Sequence, residues 1–470
     1  MSISHDSSTQ QPPKVTVIGT GYLGATHAVC MAIMGFDVLG VDVDQRKIDL
    51  LSSAEVPFFE PGLPEKLQEA LDSGRLRFTT DFDEAAAFGD VHFVCVGTPQ
   101  SPNSSAADMT YVDAAFTALA ARIDRKVLLV GKSTVPIGTA ARITSMVQSI
   151  SPLGTELELA WNPEFLREGF AVQDTLFPDR LVFGVSSQWA EQQLRRVFKP
   201  ILDLDTPVIV ADLATSELVK VAANSFLATK ISFINAMAEI CEATGADVNH
   251  LAKALSLDDR IGGRFLKPGL GFGGGCLPKD IRAFKHRAEE LGVGQAVSFL
   301  GEVDSINNRR RVRTVDLIRE LAGGSLAGVR VAALGAAFKP NSDDVRDAPA
   351  LDVARLLYLE GALVTVYDPE ANSNAHHLYP DLNYVDSMAE AVDKADVVAL
   401  LTEWSEFREA DPDTLGALVS HRRILDGRHA LNANDYTSKG WQYRALGRPA
   451  QASTVELSSD IRDEAPNPVG

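Results

Sequence analysis

Cysteine is scarce in this chain: there are four, at 30, 95, 241 and 276, with no CxxC pair among them. That scatter excludes a disulfide framework and a structural zinc site, so no metal is expected, and a reducing cytoplasm fits. Basic residues are in deficit, 44 against 63 acidic for a net charge of −19. Neither nucleic acid nor an anionic membrane surface is therefore an expected partner, and an anionic small ligand would need its own local lysines and arginines. No apolar run reaches the ~18 residues of a membrane span. Residues 1–13 also lack the basic and apolar regions of an export signal. A cytoplasmic protein without a membrane segment is the expectation.

What is present begins at Lys14. The run KVTVIGTGYLG (14–24) is a β-rich segment feeding into Gly19, Gly21 and Gly24, and an apolar helical segment continues from it to Met34. In that context GxGxxG predicts a dinucleotide turn: one glycine for the bend, one for approach of the pyrophosphate, one for packing of helix on strand. A second strand, Phe36 to Asp42, ends in a carboxylate placed to bond a ribose 2′-OH and repel a 2′-phosphate, which selects NAD over NADP.

The pattern recurs. DVHFVCVGTP (90–99) and RKVLLVGKST (125–134) read as further buried parallel strands, and Val329–Gly335, Ala362–Asp368, Ala395–Thr402 and Arg422–Gly427 repeat the series downstream. The chain is thus expected to be α/β, with two Rossmann-like doubly wound parallel sheets. The second copy keeps Gly335 without the full glycine motif, so it should bind something other than a dinucleotide. Between the copies, Thr215 to Thr244 is apolar at helical spacing with no glycine or proline, which predicts a long central helix in a helical middle region.

GFGGGCLPKD (271–280) sets Cys276 between a glycine-crowded loop and a first helical turn. Glycines there let backbone approach a ligand, and the helix dipole with Lys279 should lower the thiol pKa from ~8.5 into the ~5–7 range. A glycine-rich hinge holding a buried cysteine is the competing reading. On the central helix Lys220 and Asn224 share a face and could donate to one oxyanion, or be a solvated lysine and a locally bonded asparagine. In WNPEFLREG (161–169) Glu164 and Glu168 stand four apart after a proline, as bases or as plain acids of a first helical turn.

Taken together, VIGTGYLG, VDVD (41–44), CVGTP (95–99), KSTVPIGT (132–139), NPEFLREG (162–169), ELVKVAANSFLATKIS (217–232), GFGGGCLPKD and FKPNSDDVRD (338–347) closely resemble the UDP-glucose/GDP-mannose dehydrogenase family over about residues 14–445. NPEFLREGFAVQDTLFPDR and Thr402–Phe407 are most similar to members acting on UDP-glucose. The resemblance implies NAD-dependent four-electron oxidation of a nucleotide sugar, UDP-glucose, to the uronate. It implies an NAD-binding unit at 14–200, a central region at 201–325 with the cysteine loop and a dimer interface, and a nucleotide-sugar unit at 326–445. Tails at 1–13 and 446–470 are expected to be disordered.

Residue roles carry over in the same way. Cys276 resembles the nucleophile of a thiohemiacetal and thioester, Lys220 and Asn224 the oxyanion donors, and Glu164 the acid/base of hydrolysis. Thr134 and Asp280 match positions around the catalytic water. For NAD the matching positions are Gly19, Gly21, Tyr22, Leu23, Gly24, Asp42, Lys47, Thr98 and Thr134, with Glu168 contacting cofactor or water. For the nucleotide sugar, Glu164, Phe165, Leu166, Lys220 and Asn224 are joined by Phe265, Leu266, Lys267, Gly269, Phe272, Gly273, Phe338 and Lys339. Arg260 resembles an arginine that reaches a second subunit's site, implying a homodimer or higher homo-oligomer. GDP-mannose or a UDP-N-acetylhexosamine is the alternative substrate. A single-step hydroxyacid dehydrogenase and a non-catalytic nucleotide-sugar or NAD sensor are the rivals from other classes.

Overall fold

The computed structural model describes residues 11–449. Residues 1–10 and 450–470, and with them most of both expected tails, lie outside the described residues. Eight strands, β1 Val15–Ile18, β2 Val38–Val41, β3 Leu76–Thr79, β4 Val91–Val94, β5 Leu128–Gly131, β6 Glu158–Trp161, β7 Leu181–Gly184 and β8 Val208–Ala211, form one sheet in the order β3-β2-β1-β4-β5-β6-β7-β8. Pairing is parallel except between β6 and β7. A second, wholly parallel sheet comprises β9 Arg330–Leu334, β10 Leu363–Tyr367, β11 Asn383–Tyr384, β12 Val397–Leu400, β13 Arg423–Asp426 and β14 Gln442–Ala445, ordered β11-β10-β9-β12-β13-β14.

Both sheets share the 3-2-1-4-5-6 order of a dinucleotide-binding fold, whose ligands gather at the carboxyl ends of the strands where the order reverses. The strands are apolar because both faces are covered. In β1, Val15 and Val17 pack to one side and Ile18 to the other, each almost fully buried. A single larger core surrounds the second sheet.

The first sheet runs past the expected boundary at 200, since β8 pairs with β7 in parallel. Packing also continues past 445. Leu446 is fully buried, the Gly447 amide donates to Glu242 at 2.7 Å, and Arg448 meets Asp247 at 2.9 Å. The expected tail therefore does not begin at 446, because these three residues close the second unit onto the middle of the chain.

The helix Leu213–Thr244 joins the units, 32 residues long, or about 48 Å at ~1.5 Å per residue. Val221, Ala228, Ile234 and Ala238 are buried along it, whereas Leu218, Phe226, Phe233 and Ile240 are exposed by 41%, 66%, 48% and 53%. Near its start Glu217 accepts the Gly138 and Ala140 amides of the first unit, both at 2.6 Å. Near its end Glu242 takes Arg313 at 2.7 Å. That arginine belongs to the helix Phe299–Leu321, which leads into the second sheet.

Candidate active site

The dinucleotide turn follows from the register. Ile18 pairs with Val41, so the turn after β1 and the carboxylate after β2 lie side by side. The helix Tyr22–Ile33 starts in that turn, capped by Gly21 without a side-chain bond. Its first backbone bond is Ala25 N–H to Gly21 O at 2.9 Å, so the amides of Tyr22, Leu23 and Gly24 have no carbonyl to serve. A Cβ on Gly24 would stand 1.8 Å from Gly19 O, whereas one on Gly21 would meet nothing within 4 Å. Gly24 is needed for packing, and Gly21 presents an open backbone face that fits a pyrophosphate.

Asp42 is nearly buried. Its carboxylate accepts the Thr20 amide at 2.8 Å, the Thr20 hydroxyl at 3.1 Å and the Asp44 amide at 3.0 Å, with Lys47 Nζ at 3.5 Å. One oxygen carries a single donor, which leaves capacity for a ribose hydroxyl. The residues present therefore fit NAD.

Cys276 caps the helix Leu277–Glu290, with Pro278 in its first turn as the sequence predicts. The glycines before it are used differently from the expectation. Their close neighbours are protein: a Cβ on Gly271 would meet Asn307 Oδ1 at 2.2 Å, on Gly273 the Asp347 carbonyl at 2.3 Å, on Gly274 the Phe338 ring at 2.8 Å, and on Gly275 the Arg346 guanidinium at 2.2 Å. The Gly274 amide donates to Arg346 O at 2.9 Å. Arg428 completes the clamp, donating to Gly271 O at 3.2 Å and Phe338 O at 3.1 Å. The loop 338–347 of the second unit thus shapes the cysteine loop.

Cys276 is exposed, but its pKa is not lowered. Crowding by the surrounding cleft pushes it up, Asp280 adds to that, and Lys220 and Lys279 pull it back only in part. The predicted stabilisation by the helix terminus is outweighed first by burial and then by a carboxylate one turn into the same helix.

Asn224 is buried and donates from Nδ2 to Asp280 Oδ2 at 2.6 Å, while Lys279 Nζ reaches Asp280 Oδ1 at 2.6 Å. An amide carries two donor hydrogens, so Asn224 keeps one for another acceptor. Lys220, one turn earlier on the helix, stands over the Phe165 ring with Nζ 5.2 Å from its centroid. Thr98 donates to the Thr134 carbonyl at 2.9 Å, and Thr134, Lys279 and Asp280 line one crevice. The structure therefore brings together Cys276, Lys220, Asn224, Asp280 and Thr134.

Glu164 and Glu168 do not share a helical face as expected, because residues 162–170 are irregular and the next helix is Ala171–Leu176. Glu164 bends the chain itself, taking the Phe165 and Leu166 amides at 2.7 and 3.1 Å on one oxygen and Lys132 Nζ at 2.9 Å on the other. Burial alone would raise its pKa, but the Lys132 ammonium and those amides hold it below the usual carboxylate range. Glu168 goes the other way, pushed up to about 7 by burial and the nearby Asp344 carboxylate against Arg346 and Lys339. Arg346 and Ser342 reach it at 3.3 and 3.2 Å.

Of the expected nucleotide-sugar residues, Phe338 and Lys339 lie beside this cluster, the Lys339 pKa being lowered by burial and raised in part by Glu168 and Cys276. Phe165 and Leu166 follow Glu164, and Lys267 is exposed nearby in sequence to Phe265, which adopts φ 63°. Gly269 is held by Asn235 at 2.9 Å. Two assignments change. Leu266 packs with Ile234, Ala238, Cys241 and Val248, and Phe272 with Ala228, Ile281, Leu300 and Val303, so their side chains are core. Asn307 also holds both backbone groups of Phe272 at 2.8 Å. Arg260 is 89% exposed and pairs with Asp258 rather than entering this site. Lys132, Asn307 and Arg428 were not singled out by sequence reasoning. A lysine closing a buried apolar strand was the one usable signal, since a buried charge requires a partner.

Comparison with known proteins identifies the family. Three models of the UDP-glucose/GDP-mannose dehydrogenase family match in series: the NAD binding domain at residues 13–202, the central domain at 214–309 and the UDP binding domain at 332–433. The chain is 39% identical to the UDP-glucose 6-dehydrogenase of Rhizobium meliloti (strain 1021), covering 93% of this chain and 100% of that one. It is 39% identical to UDP-glucose 6-dehydrogenase TuaD of Bacillus subtilis (strain 168), covering 94% of each. A UDP-glucose dehydrogenase structure from the hyperthermophilic archaeon Pyrobaculum islandicum superimposes with a TM-score of 0.85 at 37% identity, over 93% of this chain and 98% of that one.

Proposed function

The chain belongs to the UDP-glucose/GDP-mannose dehydrogenase family, and from that premise we propose that it oxidises the C6 alcohol of UDP-glucose to the carboxylate of UDP-glucuronate. The observation that carries the chemistry is that Cys276 caps the helix bearing Lys279 and Asp280, with Asn224 of the central helix bonded to Asp280 at 2.6 Å. The Gly19–Gly24 turn and Asp42 would hold NAD⁺, which would supply the hydride acceptor for both oxidations.

The chain's residues do the rest. After the first oxidation the Cys276 sulfur bonds the aldehyde carbon and its proton passes to a nearby base. The carbonyl oxygen becomes the thiohemiacetal oxygen, toward which Lys220 and the free Asn224 hydrogen donate. Loss of the second hydride from the same carbon leaves a thioester. Water then adds, the C–S bond breaks, and the acid leaves with the thiol regenerated. Of the two glutamates, Glu168 has the pKa to exchange a proton near neutrality, whereas Glu164 stays ionised on Lys132 and orients the loop. Thr134 and Asp280 hold the water.

Two copies would pair along the helix Leu213–Thr244. Its exposed Leu218, Phe226, Phe233 and Ile240 recur at seven- and eight-residue spacing and so form one apolar stripe. Arg260, exposed and paired with Asp258, would then serve the neighbouring copy. Among the described residues no helix is long and apolar enough to cross a membrane, and a cytoplasmic site of action is the accompanying proposal. The test is a sugar-nucleotide panel monitored as NADH per substrate consumed. UDP-glucose should give two, and one NADH per molecule, or faster turnover of GDP-mannose, would overturn the assignment.

A further inference from the structure

Glu60 has no part in the reaction described above, yet it is 3% exposed and accepts three hydrogen bonds. One carboxylate oxygen accepts the Ala171 amide at 2.7 Å. The other accepts the Gly169 amide at 2.6 Å and the Tyr22 hydroxyl. Tyr22 is the first residue of the dinucleotide helix, and its ring lies 4.8 Å from that of Phe58. Gly169 follows directly on Glu168, and Ala171 opens the next helix. Glu60 therefore ties the dinucleotide turn to the end of the acid/base loop.

The same place touches the second unit. Gly169 sits at φ +76°, and a Cβ there would stand 2.6 Å from the carbonyl oxygen of Asn341. Asn341 itself is held at φ 60° within the loop 338–347. Gly169 thus sets the Glu60 cluster against loop 338–347, and the bonds from the Gly169 and Ala171 amides to Glu60 are short, buried and charge-assisted. Moving the dinucleotide turn or the 164–171 segment alone would leave this buried carboxylate short of a donor, which low-dielectric surroundings penalise.

We propose that Glu60 is a positioning residue that couples the two ligand sites: it holds the dinucleotide turn, the Glu164–Glu168 loop and the nucleotide loop 338–347 in one arrangement, so that each ligand binds more tightly in the presence of the other. This rests on the reading that the first unit takes NAD and the second a uridine nucleotide. Energetic coupling between sites is reciprocal, so the factor must be the same in both directions.

The experiment is calorimetric titration of the full chain with NAD⁺ in the absence and presence of saturating UDP, and with UDP in the absence and presence of NAD⁺. Wild type should show the same tightening, about fivefold or more, in both directions. Glu60→Gln sets an amide NH₂ among three donors, and should bring the factor close to one while each ligand alone still binds. A wild-type factor of one, or a factor unchanged in Glu60→Gln, overturns the proposal. If Glu60→Gln does not fold, Glu60→Asp carries the test, since it keeps the charge while a shorter side chain cannot reach all three donors at once. Coupling retained in Glu60→Asp overturns the proposal equally. If wild type fails to bind NAD⁺ or UDP alone, the assignment of the two sites falls and the coupling falls with it.

Discussion

Asp42 and Asp368 occupy the same position in their two sheets, directly after the second strand, and only Asp42 keeps room for a ligand. Asp368 accepts the amides of Ala336, Ala337, Glu370 and Ala371 at 2.7 to 3.0 Å and the Trp404 indole at 3.0 Å. Five internal donors fill a carboxylate with about four lone-pair sites. The acid that reads a ribose in one unit has become a structural tie in the other.

Substitution should separate the two. Asp42→Ala is expected to weaken NAD⁺ binding and narrow the preference for NAD⁺ over NADP⁺, with the fold retained. Asp368→Ala should leave NAD⁺ affinity within twofold, while stranding several buried donors at about 1–3 kcal/mol each before relaxation. Fluorescence titration of NADH together with urea denaturation of both variants checks this. Equal use of NADP⁺ by wild type would remove Asp42 from the ribose.

Cys276→Ser keeps the loop and supplies a poorer nucleophile. Steady-state NADH production should nearly cease, with NAD⁺ and UDP-glucose still bound and an oxygen-ester adduct visible by intact mass. Cys276→Ala should lose the adduct as well. Four-electron turnover by the alanine variant near the wild-type rate would end the covalent mechanism.

Lys220→Ala should lower kcat by ~10²–10³ with a much smaller change in KM, because its interaction strengthens as charge develops on the sugar oxygen. Steady-state kinetics decide it: raised KM with unchanged kcat would make Lys220 a binding residue only.

Glu168 sets a pH limb. Burial first, then the Asp344 carboxylate, raises it to about 7, so a step needing its ionised form should gain rate as pH rises through about 7. Asp344→Asn removes a negative neighbour, favours ionisation and should move that limb to lower pH. A kcat profile that does not move would assign the limb to another group.

Glu217 gives a stability counterpart. Burial raises its carboxyl to about 7 despite the Ala140 and Gly138 amides, above the ~4.3 of an unfolded chain. A group raised on folding stabilises fully below the unfolded pKa and loses that contribution as pH climbs through the folded value. Melting temperature followed from pH 4.5 to 7.5 should therefore contain a downward component that Glu217→Gln lacks. Parallel curves for the two proteins would contradict this.

The parts of the site legible in sequence are those whose partners lie within a few residues. Gly19 to Gly24 form one turn, Cys276 and Asp280 one helical start, and Lys220 and Asn224 one helix face, so spacing alone brings them together. Lys132, Asn307 and Arg428 are single polar residues that acquire meaning from partners far along the chain, and no local pattern marks them. The glycines at 271–275 mislead for the same reason. A glycine announces close approach without saying what approaches, and here it is residues 338–347. Glu164 misleads because a proline before an acid suits a helix start, whereas its carboxylate and Lys132 stabilise an irregular bend.

That clamp has a consequence for how the protein is made. Cys276, Lys220, Asn224 and Asp280 all leave the ribosome before residues 338–347 and Arg428, which press the cysteine loop into shape. A partly synthesised or truncated chain therefore carries Cys276 on an unclamped loop. The cysteine loop takes its final shape only when the last unit docks, and domain-by-domain synthesis makes that docking a late step.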